Sequence, residues 1–363
     1  MVARDPSAEL MRLVNGYRVS QAIHVVATLG VADLLKAGPR SADDLAVSTN
    51  SHPRTLYRVL RALAAVGVFR EEADQRFSLA RMGRSLCSDA ERPVGPYATF
   101  VGRQHHWQAW GALLHSTRTG ENAFHHVHGK GVWEYLATHP EEGAIFGSGM
   151  TGNSRGVAER IMSAYNFSPF RRVVDVAGGQ GALLAAILAA HPTMRGVLFD
   201  RPEVVAKAGP VLEAAGIADR CEVVGGSFFD AAPEGADAYL LKYILHDWDD
   251  PASVAILAAC RRACRPEGKL LVMERIVGPP NEGPETKISD LIEPAWAILR
   301  PAPGRTGIIP VKPANSSKCT QAGSITCWSL PVGRSARVTS SPLCLLRRGS
   351  AWSGSLKWVP ACQ

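Results

Sequence analysis

From residue 172 onward the chain alternates short apolar runs with helical segments, and this alternation constrains its fold more than any other feature. RRVVDVAGG reads as a strand entering a glycine turn, and ALLAAILAAH as the helix that leaves it. GVLFD, CEVVGGSFF, AYLLKYIL and KLLVMERIV supply four more strands, with PEVVAKAGPVLEAAG helical among them. Short apolar strands separated by helices imply an α/β fold with a parallel sheet and right-handed crossovers.

The first hundred residues have a different rhythm. Ala22, Val25, Val26, Leu29, Val31, Leu34 and Leu35 form an apolar face that Gly30 interrupts. Ser41 stands where a helix N-cap belongs, and His52-Pro53 opens a further helix with Leu56, Val59, Leu60, Leu63 and Val66 at helical spacing. GVFREEADQRFSLA then alternates about a turn as a hairpin does. Helices followed by a hairpin make a winged-helix pattern. Arg54, Arg58 and Arg61 on the third helix would suit DNA, but the scaffold does not fix the function and an enzyme-like region follows, so a dimerisation module is the reading adopted.

Between these regions, residues 101–168 read as helical and rich in aromatic and histidine residues. Trp107, Trp110, Trp133, Phe146 and Met150 would each pack plainly in a core; together they suit the wall of a pocket for a flat, apolar molecule. His105, His106, His125, His126 and His128 read as surface or pocket-lining groups. The expected organisation is 1–100 winged helix, 101–168 helical pocket region, 169–292 nucleotide-type α/β domain and 293–363 an irregular tail.

Charge points to nucleic acid only until it is mapped. The net charge is +7, but no Asp or Glu follows Glu293, while nine Lys and Arg do. Residues 1–293 hold 31 basic and 33 acidic groups, so the body is nearly neutral and a bulk-charge argument for DNA binding fails. No run of eighteen apolar residues suggests a membrane span, and the N-terminus lacks a cleavable apolar segment, so a cytoplasmic protein is expected. Cys260 and Cys264 lie four apart on an expected helix without a second pair at zinc spacing, which reads as apolar filler.

The segment Asp175-Val176-Ala177-Gly178-Gly179-Gln180-Gly181 ends the first strand of the α/β region. Glycines there let backbone approach a ligand closely, ahead of a helix N-terminus. A dinucleotide fingerprint would need a third glycine where Leu184 stands. Asp200 ends the second strand, where a carboxylate can accept both hydroxyls of a ribose. A nucleoside without pyrophosphate fits this set better than a dinucleotide.

Together, VVDVAGGQG, GVLFDRPEV, CEVVGGSFF and LKYILHDWDD resemble the plant-type and bacterial O-methyltransferases, which include acetylserotonin and caffeate methyltransferases. The resemblance runs from about residue 10 to Asp290. It implies a Rossmann-like sheet, S-adenosyl-L-methionine as cofactor, a homodimer and a hydroxylated aromatic small molecule of secondary metabolism as acceptor. It further implies that Ala177, Gly178 and Gly179 contact the methionine part of the cofactor and Asp200 its ribose. Ser227 and Phe228 flank the adenine, and Lys242 lies beside the cofactor. His246 is the general base, Glu274 orients it, and Phe146, Met150 and Asp290 line the acceptor side. Ala177 stands where the family usually has Gly, a change expected to be mild, and Ser227 where it usually has Asp. No metal is implied, because the site offers a histidine base rather than a cluster of carboxylate ligands. Two other readings are weighed against this one: a cofactor-binding pseudoenzyme, and a winged-helix regulator with a ligand-sensing domain.

After KISDL the resemblance stops. The family continues with a segment of the form MLxxxGGxERTxxEF, a helix and two strands; here eight Pro and ten Ser crowd residues 294–363. Reading codons out of phase from between Thr326 and Cys327 permits MLVxPGGxERTxDEFAALFAAAGFRLVRVV, ending near Ser355. The tail therefore reads as frameshifted. A second catalytic Glu of the family falls in the shifted codon across Arg334 and Ser335 and is lost. The last strands of the sheet are expected to be missing. Each unburied apolar side chain forfeits ~1.5–3 kcal/mol against a domain stability of ~5–15 kcal/mol, so impaired activity is expected.

Overall fold

In the computed structural model the described residues are 5–275, 277, 279–296 and 325–331. They fall into two units: residues up to Gln108 with His139–Gly156, and Ala109–Thr138 with the chain from Val157 onward. No described helix is long and apolar enough to cross a membrane.

In the first unit the helix Gly16–Thr28 ends where Gly30 takes φ +65°, a left-handed turn that glycine makes without strain. Ser41 caps the helix Ala42–Ser48, its Oγ accepting the Asp44 N–H at 3.1 Å. Pro53 opens the helix Pro53–Ala65, which buries Leu56, Leu60 and Leu63 and leaves Arg54, Arg58 and Arg61 exposed. Strands β1 (Arg40–Ser41), β2 (Phe69–Glu71) and β3 (Arg76–Leu79) pair antiparallel in the order β1-β3-β2 and form the wing. Val26, Leu45, Leu60, Phe69 and Phe77 share its core. The helix Pro6–Val14 buries nothing and leaves Leu10, Met11, Leu13 and Val14 exposed.

The second unit is built on β4 (Arg172–Val176), β5 (Arg195–Asp200), β6 (Cys221–Gly225), β7 (Ala238–Lys242), β8 (Lys269–Arg275) and β9 (Ile325–Pro331). Their order is β6-β5-β4-β7-β8-β9. The pairs from β4 to β8 are parallel, and β9 runs antiparallel to β8. The chain steps outward from β4 to β6, then crosses back to place β7 on the other side of β4. Open α/β sheets bind ligands at the carboxyl ends of the strands beside such a reversal. Along β4, Val173 packs with Leu183, Leu184 and Leu188 of the helix Ala182–Ala190, whereas Val174 and Val176 share the opposite core with Tyr239, Leu241 and Ile256. Both faces are covered, as the apolar runs required. Cys260 lies in that second core, and burial pushes its thiol up to about 12, so it acts as filler.

Two features depart from the sequence reading. Residues 101–168 do not hold together as one region, because their aromatic residues make their ring contacts in two different units. Phe146 packs edge-on against Phe100 at 5.2 Å in the first unit, and Phe124 against Trp296 at 4.7 Å in the second. The helix Pro140–Ala164 crosses the division. Nor is the tail wholly irregular or the sheet bare beyond β8: seven residues of β9 pair with β8, from Arg275↔Ile325 to Lys269↔Pro331. The physical reason is that an open strand edge offers N–H and C=O groups to any extended segment. The expectations placed on residues 297–324 and 332–363, the lost Glu among them, lie outside the described residues.

Candidate active site

The chain leaves β4 through a tight curl. Ala177, Gly179 and Gly181 all take positive φ, at 53°, 63° and 85°, and Gly181 is the N-cap of the helix Ala182–Ala190. Gly178 has no space for a side chain: a Cβ there would lie 2.7 Å from both the Asp175 Cγ and the Leu198 Cδ1. The Gly179 N–H donates to Asp200 Oδ2 at 2.8 Å, and the Arg201 N–H to Asp200 Oδ1 at 2.7 Å. Burial raises the Asp200 pKa, and these two amides act against that rise. A carboxylate held this way keeps acceptor capacity on both oxygens for a ligand diol. Ala177 is the one non-glycine in the curl with positive φ, so its difference from the family pattern carries backbone strain.

Asp175, within the same strand, is 1% exposed, and its Oδ2 has no hydrogen-bond partner among the described residues. Burial pushes its pKa up to about 7, with the Lys242 charge opposing. Lys242 is driven the other way by burial, with Asp175 and Glu274 opposing. An orphaned carboxyl oxygen and a glycine that admits no Cβ, beside the Asp200 carboxylate, fit a nucleoside cofactor with a cationic amino-acid arm.

Past β6, Ser227 Oγ accepts the Phe229 N–H at 3.2 Å. Phe228 and Phe229 both meet the Trp248 ring edge-on, at 5.6 and 4.8 Å, tying this loop to the one after β7. Beyond Asp200, the Arg201 guanidinium lies 5.9 Å from the Trp133 ring centroid and donates to the Trp133 carbonyl at 3.3 Å. This draws the helix Val132–Thr138 to the tip of β5.

β7 stops at Lys242 because Tyr243 turns to φ 57°, and a short 3₁₀ turn, Leu245–Asp247, follows. That turn presents His246. Its Nδ1 lies 2.9 Å from Glu274 Oε2, while Glu274 Oε1 accepts the Ile244 and Leu245 N–H groups at 2.9 and 3.0 Å. Glu274 is 2% exposed, and its three partners fix it in place. On the other side of the ring, Asp247 Oδ1 lies 3.5 Å from Nε2. Burial disfavours the imidazolium, but Asp247 and Glu274 outweigh it and lift the His246 pKa to about 9, against the opposing Arg275. Tyr243 lies near both Lys242 and Arg275, whose charges are 4.9 and 5.0 Å from its ring centroid, and its ring is 6.1 Å from that of His246.

The structure thus brings Ala177, Gly178, Gly179, Asp200, Lys242, His246 and Glu274 to the carboxyl edge of one sheet, with Ser227 and Phe228 on the adjoining loop. Asp290 is exposed at the end of the helix Pro284–Asp290; its neighbour Ser289 accepts from Arg275 at 3.2 Å. Phe146 and Met150 belong to the first unit. Sequence reasoning passed over Asp175 and Asp247, although both stand inside the motifs that carry the family resemblance, and also Arg201 and Tyr243. One acidic cluster lies elsewhere: ligand atoms of Asp33, Cys87 and Asp89 come within 4.8 Å of one another. Lys36 Nζ sits 3.0 and 3.1 Å from the two carboxylates and already supplies the cation.

Comparison with known proteins agrees with this geometry. Residues 110–297 match the model of the O-methyltransferase domain, and residues 11–89 that of the O-methyltransferase dimerisation domain. The chain is 41% identical over 300 residues to the phenazine O-methyltransferase PhzM of Lysobacter antibioticus, covering 83% of this chain and 87% of that one. The crystal structure of LaPhzM superposes with a TM-score of 0.78 at 38% identity, over 82% of this chain and 90% of that one. A relative at 33% identity, covering 73% of this chain and 72% of its own length, is the aclacinomycin 10-hydroxylase RdmB of Streptomyces purpurascens.

Proposed function

The chain belongs to the O-methyltransferase family, and from that membership we propose that it methylates a hydroxyl of a small aromatic natural product, using S-adenosylmethionine as donor and His246 as general base. The observation that carries this reading is the shared edge. The curl after β4 and Asp200 at the tip of β5 stand on the same sheet edge as the His246–Glu274 pair.

Asp200 would hold the ribose hydroxyls, the Ala177–Gly179 curl the methionine arm, and the loop of Ser227 and Phe228 the adenine. The cofactor, when bound, would supply an electrophilic methyl carried on a sulfonium. His246 takes the acceptor's O–H proton at Nε2 and so bares the oxygen that accepts that methyl. A phenol is a poor nucleophile while protonated, and a positioned base contributes ~10²–10⁴-fold. Glu274 fixes the ring with Nδ1 turned inward, so Nε2 is the nitrogen left to meet the acceptor. Asp290 is assigned to the acceptor side, and the dimerisation module with its exposed Leu10, Met11, Leu13 and Val14 to a homodimer.

The altered tail reduces this activity, because a second glutamate near the imidazole is absent from the sequence. A second reading, in which bound cofactor serves something other than methyl transfer, is favoured by one observation: a relative at 33% identity is named as a hydroxylase. Calorimetric titration of S-adenosylhomocysteine into the full-length chain tests the family reading directly. Saturable one-to-one binding that Asp200→Ala weakens is expected, and no binding by the folded chain would sink it. Tritium transfer from labelled cofactor to a panel of phenols separates the two readings. Transfer supports the first; binding without transfer to any phenol supports the second.

A further inference from the structure

Arg201, just past the tip of β5, is engaged at both its main chain and its side chain. Its N–H donates to Asp200 Oδ1 at 2.7 Å, while its guanidinium reaches 68 positions back in sequence to the helix Val132–Thr138. There Nη1 donates to the Trp133 carbonyl at 3.3 Å, and the guanidinium carbon lies 5.9 Å from the centroid of the Trp133 ring. Nη1 carries two hydrogens and also meets Glu203 Oε1, at 3.2 Å, which steadies the side chain in that position. Burial raises the Asp200 pKa, and Arg201 opposes that rise through its N–H and through its charge. The helix is anchored separately on its other side. Tyr135 stands two residues beyond Trp133, about 200° around the axis. Its ring meets Phe124 edge-on at 5.4 Å, and Phe124 meets Trp296 at 4.7 Å. One anchor is thus aromatic; the other is cationic and runs to the Asp200 carboxylate.

We infer that Arg201 is a positioning residue that couples the seating of the helix Val132–Thr138 to occupancy of the Asp200 carboxylate. The guanidinium, held on Trp133, fixes the peptide group whose N–H orients Asp200. A diol gripped by Asp200 fixes the same peptide group from the other end. Such coupling is reciprocal, so whatever holds the helix in place tightens the ligand by the same factor. A charge-assisted hydrogen bond is typically worth ~10- to 100-fold in affinity. The Arg201 side chain is 36% exposed, so solvent screening puts the effect at the lower end of that range.

This inference rests on the methyltransferase reading, in which Asp200 holds the ribose, and its test keeps the two apart. Amide hydrogen exchange of the full-length chain is followed with and without saturating S-adenosylhomocysteine, whose affinity is read by calorimetry. The ligand is expected to slow exchange across residues 132–138 by roughly 10-fold, as well as across the curl at 177–181. Arg201→Ala should weaken S-adenosylhomocysteine about 10-fold and, at saturation, remove the added protection at 132–138 while leaving that at 177–181. Trp133→Ala, which approaches the contact from the helix, should remove the same protection, and Trp133→Phe, which keeps a π face for the guanidinium, should restore it. A merely structural contact would protect 132–138 equally with and without ligand. Binding to the unaltered chain with no added protection at 132–138, or added protection that survives Arg201→Ala, overturns the inference while the family reading stands. No binding by the folded chain sinks both.

Discussion

Two carboxylates near the ends of strands on opposite halves of the sheet, Asp200 on β5 and Glu274 on β8, make an instructive pair. Each accepts two backbone N–H groups, from Gly179 and Arg201 in one case and from Ile244 and Leu245 in the other. Asp200 is then left with free acceptor positions facing the curl after β4. Glu274 gives its second oxygen to an imidazole. The same anchoring thus yields two devices, one able to grip a ligand's hydroxyls and one that sets the orientation and charge of an imidazole. What a buried carboxylate does depends on which of its lone pairs the backbone leaves unclaimed.

Substitutions on the two halves should separate these devices. The largest effect is expected on the β8 side: His246→Gln should slow methyl transfer by ~10²–10⁴-fold while S-adenosylhomocysteine affinity, read by calorimetry, stays put. Asp200→Ala should do the opposite, weakening S-adenosylhomocysteine by roughly 10²-fold through loss of charge-assisted bonds. If both variants lost affinity equally, the division of labour would be wrong.

The pH dependence sharpens the comparison. His246 faces Asp247, Glu274 and Arg275, and with its pKa lifted to about 9 it is an imidazolium in the free protein at neutral pH. The rate measured as kcat/KM should therefore climb with pH until about 9 and then level. Glu274→Gln should move that limb to lower pH, because it removes one of the two anions that favour the charged ring. For stability the sign is the reverse. The raised pKa stabilises the fold fully below the ordinary 6.5, and that contribution is lost as pH rises through about 9.

The smallest effects belong to the curl itself, where neighbouring residues should respond oppositely. Gly178→Ala forces a Cβ against Asp175 and Leu198 and should cost ~1–3 kcal/mol in thermal or denaturant unfolding. Ala177→Gly relieves a side chain held at φ 53° and should gain ~1 kcal/mol. Matching signs at the two positions would contradict the backbone geometry described for this turn.

Much of this was legible in the sequence because strand ends and glycine turns leave local traces. Asp200 follows an apolar run, Gly178 and Gly179 interrupt one, and His246 lies just beyond another. The approach of Glu274 to that histidine followed from the family resemblance rather than from spacing. What escaped depends on conformation or on distant contacts. Nothing in the residue type announces that Ala177 takes a left-handed φ, or that Tyr243 turns the chain so that Asp247 meets Nε2. The contact of Arg201 with Trp133 spans 68 positions, and no periodicity records it. The orphaned oxygen of Asp175 arises from burial in the folded sheet, which a strand pattern registers only as an interruption of apolar residues.

β9 has a consequence of its own. A ladder of main-chain bonds does not read the side chains it carries, so residues 325–331 can seal the outer berth of the sheet despite a composition foreign to it. That seal denies β8 to a neighbouring copy of the chain, which would otherwise find there a template for open-ended association. β9 thus serves the sheet as a guard rail, and a chain cut short before it is expected to precipitate at the open edge of β8.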